Sequence, residues 1–370
     1  MYSCAPTKST LCIAIYPKRR AKCKIFINQA ITWLHLAIGG MLHLIYMNQV
    51  GTSHGMHLIS GRTHPELAKE IAEHLNVKLS KVTLEDFANG EIRVRLNESV
   101  RGDDVFIIQT QGTLVHQAIF EQLLMIDAAK RASARSITAV CPLLCYARAD
   151  RKAAGREPIG ARLIVDLLSQ AGADRIMSID LHSGQTQGFF NGPFDHLIAM
   201  PLFRKYVVEH FGNDVVFVAP DAGRVKLAER YSSKLDAPMA IIHKSRSAME
   251  RNNVEAKHLI GDVKGKACVI IDDMIDTAGT FCAAADLLKE RGAKTVYGLA
   301  THGILSADAS KRIEASVFEK VIVTNTVPVD THGLTNKVEV LSVAPLLANA
   351  MQAVATASSV SALFEGENQI

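Results

Sequence analysis

The stretch "VRGDDVFIIQ" at 100–109 returns as "VKGKACVIID" at 263–272, an offset of 163. The patterns that follow also agree: Asp127, Lys130, Ala134 and Arg135 match Asp286, Lys289, Ala293 and Lys294 at a constant offset of 159. Each copy is a turn, a continuous apolar run and a helical pattern. An apolar run without alternation reads as a strand covered on both faces, and strands alternating with helices predict a parallel sheet. The same rhythm holds from Met56 onward. "MHLISG" is a short strand, "HPELAKEIAEHLN" a helix with Pro65 at its start, and "SITAVCPLL" another strand. The expected fold class is therefore α/β, with two similar domains, each a mainly parallel sheet flanked by helices. Their expected limits are 56–200 and 201–342, with a C-terminal segment at 343–370 packing back on the first domain.

Charge places the remaining residues. The first 55 positions hold Lys8, Lys18, Arg19, Arg20, Lys22 and Lys24 and no acid, while the rest of the chain sets 35 basic residues against 37 acidic ones. No run in that body forms the basic footprint of a nucleic-acid binder. Residues 1–55 read as an N-terminal extension. Translation from an upstream start, a disordered or partly helical extension and a membrane signal are its three readings; Met41, Met47 and Met56 offer later starts, and Thr32, His35 and His43 interrupt the apolar run at 25–47. Cys4, Cys12, Cys23, Cys141, Cys145 and Cys268 fit no zinc spacing and predict reduced thiols in a cytoplasmic protein.

The second copy differs from the first where chemistry belongs. "QTQGT" follows the first strand and "DDMIDTAGT" the second. Ligands of open parallel sheets collect at the carboxyl ends of strands, so Asp272 and Asp273 are expected at that edge, ending the strand. "DTAGT" then leads into the helix "FCAAADLLKERG". A small-residue turn at a helix start offers unpaired N–H groups and a positive dipole end, which suits a phosphate. The acid pair can accept sugar hydroxyls or bind a hydrated Mg²⁺. Without further information, a helix capped by Asp276 or Thr277 with two solvated carboxylates explains the same residues. A P-loop does not: "GDVKGKA" at 261–267 has the wrong spacing.

"VIIDDMIDTAGT" resembles the phosphoribosyl-binding signature of type I phosphoribosyltransferases and, more closely, of the class I ribose-phosphate pyrophosphokinases. "DFANGEIRV", "CYARADRK", "SIDLHSGQTQGFF", "HKSR" and "VSALFEG" resemble segments of the latter family in the right order, over about residues 56–366. The resemblance implies a type I phosphoribosyltransferase-like fold and transfer of pyrophosphoryl from MgATP to the C1 hydroxyl of ribose 5-phosphate, leaving AMP. It implies ATP binding by Phe87, Asn89, Glu91, Arg148, Ala149 and Asp150. Ribose 5-phosphate falls to Arg246, Asp272, Asp273, Asp276, Thr277, Ala278, Gly279 and Thr280. Lys244 and Arg246, just before a mobile loop expected over 247–258, match catalytic cations that close over ATP, and His182 and Asp221 match metal ligands. Mg²⁺ is the implied cofactor, phosphate and ADP are effectors acting near Ser99 and Arg101, and the assembly is a homohexamer. Neither nucleic acid nor membrane is expected as a partner.

Three departures stand out. Ala278 replaces the first glycine of the usual "DTGGT", Ala149 a commonly polar residue, and "QGTLVHQA" at 111–118 lacks a Pro and an Asn found in many members. A phosphoribosyltransferase that consumes the product, and a non-catalytic regulatory homologue, are the rival functions. The segments at 86–91 and 145–152 speak against the first, and Lys244, Arg246 and His182 against the second.

Overall fold

Two mainly parallel sheets are built from the strands of this chain. The structure, a computed structural model, describes residues 54–112, 114–212, 214–245, 256–329 and 336–364. Residues 1–53 therefore lie outside the described residues, as do Arg246 and most of the loop expected at 247–258. Residues from His54 onward form one compact unit.

The first sheet holds β1 (Met56–Ser60), β4 (Asp104–Ile108), β5 (Ser136–Cys141), β6 (Arg175–Ile179) and β7 (Phe194–Leu197), all parallel and in that spatial order. β2 (Val82–Asp86) and β3 (Ile92–Leu96) form a separate antiparallel hairpin. Helices α1 (Pro65–Leu75), α2 (Val115–Arg131) and α3 (Gly160–Ala171) connect these strands, and α4 (Met200–Phe211) follows β7. β4 is buried at all five positions, as its unbroken apolar run requires.

The second sheet holds β8 (Val215–Ala219), β9 (Met239–Ser245), β10 (Ala256–Ile260), β11 (Ala267–Ile275), β12 (Thr295–Gly303), β13 (Lys320–Thr324) and β14 (Val338–Leu341). Its spatial order is β10-β9-β8-β11-β12-β13-β14, parallel except for the β9–β10 pair. Helices α5 (Val225–Leu235), α6 (Gly279–Glu290), α7 (Ala309–Ala315) and α8 (Ala344–Ala355) complete the element order. The loop expected over 247–258 is corrected at its end: Ala256 already pairs with Ser245.

The repeat has a structural counterpart. Asp104 and Ala267 each begin a strand at the offset of 163, and Arg131 and Glu290 each end a helix at the offset of 159. The sheets differ in one decisive respect. The first runs outward in a single direction, whereas the second reverses between β8 and β11, and such a reversal opens a crevice at the carboxyl ends of the two strands. Leu67, Ala68 and Ile71 of α1 share a buried cluster with Leu347, Ala348 and Met351 of α8, so the last helix packs on the first. No helix among the described residues is long and apolar enough to cross a membrane.

Candidate active site

β11 pairs with β8 only as far as Ile270, opposite Val218, yet continues along β12 to Ile275, opposite Gly303. The strand therefore does not end at the acids, as the sequence suggested. Asp272 and Asp273 are strand residues whose β8-side edge is open, because β8 has turned away. One side of this edge is a cleft of about 460 Å³ lined by Asp180, His182, Arg224, Tyr231, Asp272 and Asp273.

The acid pair is compensated from two directions. Arg224 Nε donates to Asp272 Oδ1 at 2.7 Å, and its Nη2 lies 2.6 Å from Asp273 Oδ1. His182 Nδ1 lies 2.7 Å from Asp273 Oδ2 and 3.0 Å from Arg224 Nη2. One ring nitrogen carries at most one proton. Placed on Nδ1 it is donated to Asp273, and the Nε2 lone pair is left for a cation. The Arg224–Asp273 contact is close in charge but not directed as a hydrogen bond, so buried Asp273 Oδ1 has no hydrogen-bond partner. Burial, with the neighbouring Asp273, pushes Asp272 up to about 7. Burial would raise Asp273 as well, but His182 and Arg224 overcome it and hold that carboxyl well below the usual range.

The "DTAGT" turn follows directly. Ala278 is the N-cap of α6, with φ 60° and ψ 0° and no side-chain cap, and the first turn contains no acid. A non-glycine residue in this left-handed conformation costs roughly 1–2 kcal/mol. The cost falls on the position where glycine was expected, while Gly279 lies outside the positive-φ region. Thr277, Gly279 and Thr280 are exposed, so an uncapped helix start faces open space. Its first N–H groups have no intrahelical partners. Asp276 is tied down by the Ser306 hydroxyl and by Arg148, whose Nη1 lies 2.9 Å from Asp276 Oδ2; together they hold its carboxyl below the ordinary value against a smaller effect of burial. Arg312 Nη1 donates to the Thr277 carbonyl at 2.6 Å.

Arg148 and Asp276 border a second cleft, of about 390 Å³, with Tyr146, Met274 and His116. A third, of about 690 Å³, shares His116 and is lined by Phe87, Glu91, Phe120 and Leu124. Phe87 is 53% exposed at the tip of the β2–β3 hairpin. Its N–H donates to the Glu91 carbonyl, and Glu91 N–H donates to Asn89 Oδ1, which closes the hairpin loop. Ala149 and Asp150 are half-buried beside Arg148. Tyr146, Asp180, Leu305 and Ala307 join Ala278 as non-glycine residues at positive φ on the loops around these clefts. Strain of this kind collects where a site over-determines its backbone.

Other expected residues are not brought into contact with these. The Asp221 carboxylate accepts from Gly223 N–H at 2.8 Å in a local turn, and no hydrogen bond or ion pair joins it to His182 among the described residues. Among the described residues, no three or more His, Cys, Asp or Glu side chains are grouped closely enough to hold a metal ion by themselves. Lys244 lies near the end of β9 and Arg246 outside the described residues. Ser99 and Arg101 are exposed before β4, with Arg101 Nη1 donating to Ser133 Oγ at 3.2 Å. Sequence reasoning missed Arg224 and Ser306. Arg224 stands three residues after Asp221 at the start of a helix, which was a signal, whereas nothing around Ser306 singles it out.

A family profile described as the N-terminal domain of ribose phosphate pyrophosphokinase matches residues 56–172, and one described as the phosphoribosyl synthetase-associated domain matches 255–365. A ribose-phosphate pyrophosphokinase of Corynebacterium glutamicum is 52% identical over 312 residues, covering 84% of this chain and 96% of its own. The chain belongs to the ribose-phosphate pyrophosphokinase family. Another ribose-phosphate pyrophosphokinase, from Bifidobacterium longum, is 51% identical over 312 residues, 83% of this chain and 92% of its own length. Within the same family, the crystal structure of phosphoribosylpyrophosphate synthetase from Mycobacterium smegmatis is similar at a TM-score of 0.77 and 50% identity. It covers 81% of this chain and 98% of that one.

Proposed function

We propose that this chain carries out its family's reaction with the three clefts acting as one site. It transfers the pyrophosphoryl group of ATP to the C1 hydroxyl of ribose 5-phosphate, giving 5-phosphoribosyl 1-pyrophosphate and AMP for nucleotide biosynthesis. The observation that carries the division of labour is the succession, within a few residues, of the half-buried Asp272 and buried Asp273 on β11 and the uncapped start of α6. Asp272 and Asp273 accept the ribose hydroxyls, and residues 276–280 hold the 5-phosphate through helix N–H groups and the Thr277 and Thr280 hydroxyls. Adenine stacks on Phe87, its polar edge is read by Asn89 and Glu91, and the phosphates pass Arg148, Ala149 and Asp150. Arg148 leaves Asp276 to pair with a phosphate through its fork of donors.

Mg²⁺ is the proposed cofactor. The donors here are carboxylate oxygens with one imidazole, and a buried oxygen of Asp273 lacks a hydrogen-bond partner, which fits a hard divalent cation. His182 and Asp221 would hold it, and when bound it neutralises charge on the transferring phosphates. Lys244 and Arg246 supply further positive charge as catalytic cations, since this kind of transfer depends on positioning and charge neutralisation more than on a protein nucleophile. Arg246 also faces the ribose 5-phosphate.

Four further statements belong to the same proposal. Residues 56–200 and 201–342 are two domains, each built on its own sheet, with residues 343–370 packing on the first. Phosphate and ADP act near Ser99 and Arg101. The protein is a homohexamer; the exposed side chains Leu163 and Leu167 of α3 support a contact between copies. It is cytoplasmic, in keeping with the free, buried thiols of Cys141, Cys145, Cys268 and Cys282.

One assay tests the reaction: ribose 5-phosphate with MgATP, following AMP. AMP release that requires ribose 5-phosphate is the expected result. No AMP from protein of verified fold overturns the assignment. Pyrophosphate consumption without ATP would place the chain with the phosphoribosyltransferases instead.

A further inference from the structure

Arg224 closes a short 3-10 turn at Ala222–Arg224 and stands at the N-cap of α5, where a basic side chain gains nothing from the helix dipole. Its side chain is nevertheless drawn inward, to 17% exposure. Consecutive strand residues point to opposite faces. One cation can reach both Asp272 and Asp273 only from the open edge of β11, and Arg224 reaches them there. Its Nε lies 2.7 Å from Asp272 Oδ1 and its Nη2 2.6 Å from Asp273 Oδ1. Nη2 is also 3.0 Å from His182 Nδ1. Asp272 Oδ1 further accepts the Asp273 N–H at 2.9 Å, so the same oxygen fixes the backbone between the acids.

We propose that Arg224 is a built-in counter-cation of the acid pair, and that a divalent cation and the sugar hydroxyls displace it when the site fills. This rests on the reading that Asp272 and Asp273 face the sugar and the metal-nucleotide. Two adjacent, largely buried carboxylates cannot be left uncompensated without a large cost. The Arg224 guanidinium meets that need from within the chain, and bound ligands can meet it in its place. Arg224 therefore competes with the cation. It sets how much metal the free protein binds and orders the site so that nucleotide and metal arrive together. Released from the acids, its fork of donors remains within a side-chain length of the edge where the pyrophosphoryl group is transferred.

The test is titration of the intact protein with Mg²⁺ alone by calorimetry, beside thermal melts with and without Mg²⁺. Arg224→Ala should bind Mg²⁺ at least about tenfold more tightly than wild type, since close charge pairs couple by more than the free energy of a tenfold change. Its melting temperature should fall without the metal and recover with it. Arg224→Lys, which keeps a charge but loses the fork, should lie between the two, and it serves if the alanine variant does not fold. Equal Mg²⁺ affinity and equal Mg²⁺-dependent melting shifts in wild type and both variants overturn the proposal. Asp273→Asn added to Arg224→Ala separates the two levels of the argument. Loss of the gained Mg²⁺ binding places the competition at the acid pair. Retention of it means the cation sits elsewhere, which overturns the proposal while the assignment of the pair to the sugar hydroxyls stands.

Discussion

Arg148 Nη1 lies 2.9 Å from Asp276 Oδ2, so a side chain carried by the segment after β5 of the first sheet is fastened to the phosphate-type turn of the second. The two side chains are 49% and 37% exposed. An ion pair that wet contributes about 0–1 kcal/mol to stability. Its weight is therefore in the site: it joins the proposed nucleotide side to the proposed sugar side and is loose enough to open for a phosphate.

Arg148→Ala should reduce kcat/KM for ATP by roughly 100-fold while shifting stability by less than about 1 kcal/mol. Arg148→Lys should recover only part of the loss, because a point charge does not replace a fork. Steady-state kinetics with parallel urea melts check both. Full activity in the alanine variant would remove Arg148 from the nucleotide path.

Ser306→Ala deletes the hydroxyl that donates to Asp276. The loss of one hydrogen bond to a charged group is worth about 1.5–3 kcal/mol where it is felt. The KM for ribose 5-phosphate should rise about tenfold or more, with kcat nearly unchanged, because the turn is positioned rather than the transferred group. A fall in kcat with an unchanged KM would contradict this.

Ala278→Gly relieves about 1–2 kcal/mol of left-handed strain. It also removes a buried methyl worth about 0.8 kcal/mol and loosens the unfolded chain. These terms offset, so the variant should match wild-type stability to within about 1 kcal/mol. Ala278→Val adds branching at the same φ and should destabilise by more than 1 kcal/mol, raising the KM for ribose 5-phosphate as well. Denaturant melts of the pair decide it; a tolerated valine would mean the turn is not held as described.

His302 of β12 and His196 of β7 are buried, and burial lowers both below the ordinary 6.5. The unfolded chain protonates these rings near pH 6.5, the folded chain only at lower pH. Between those values the unfolded state binds more protons, so stability is lost as pH falls below about 6.5, by about 1.4 kcal/mol per pH unit for each proton. His302→Gln should be less stable at pH 8, because it loses hydrogen bonds to Thr326 and to the Ile179 and Asp180 carbonyls. Its stability should nonetheless depend less steeply on pH. Urea unfolding from pH 5 to 8 measures the slopes, and equal slopes would take His302 out of the account.

Much of this molecule was legible in the sequence, and each part that was legible is local. The unbroken apolar run of β4, Pro65 at the first turn of α1 and the acids and small residues of 272–280 lie within one element and its next turn. Period, propensity and capping act at that range, so they fix strands, helices and a candidate phosphate turn before any long-range contact forms. The repeat extended this to two parallel sheets, because the same local code was written twice.

Tertiary structure decided what those elements do to one another. Strand order is a long-range property, and the order of the second sheet, reversing between β8 and β11, exposes the edge of β11 at Asp272 and Asp273. The first sheet has no such reversal, and its copy carries Gln109 and Thr110 where the second carries Asp272 and Asp273. Arg224 meets the acid pair from 48 residues away, and Arg148 meets Asp276 from 128. No periodicity encodes such distances. They exist because each backbone is held by its own sheet, and only the packing of those sheets sets which charge is near enough to cancel another.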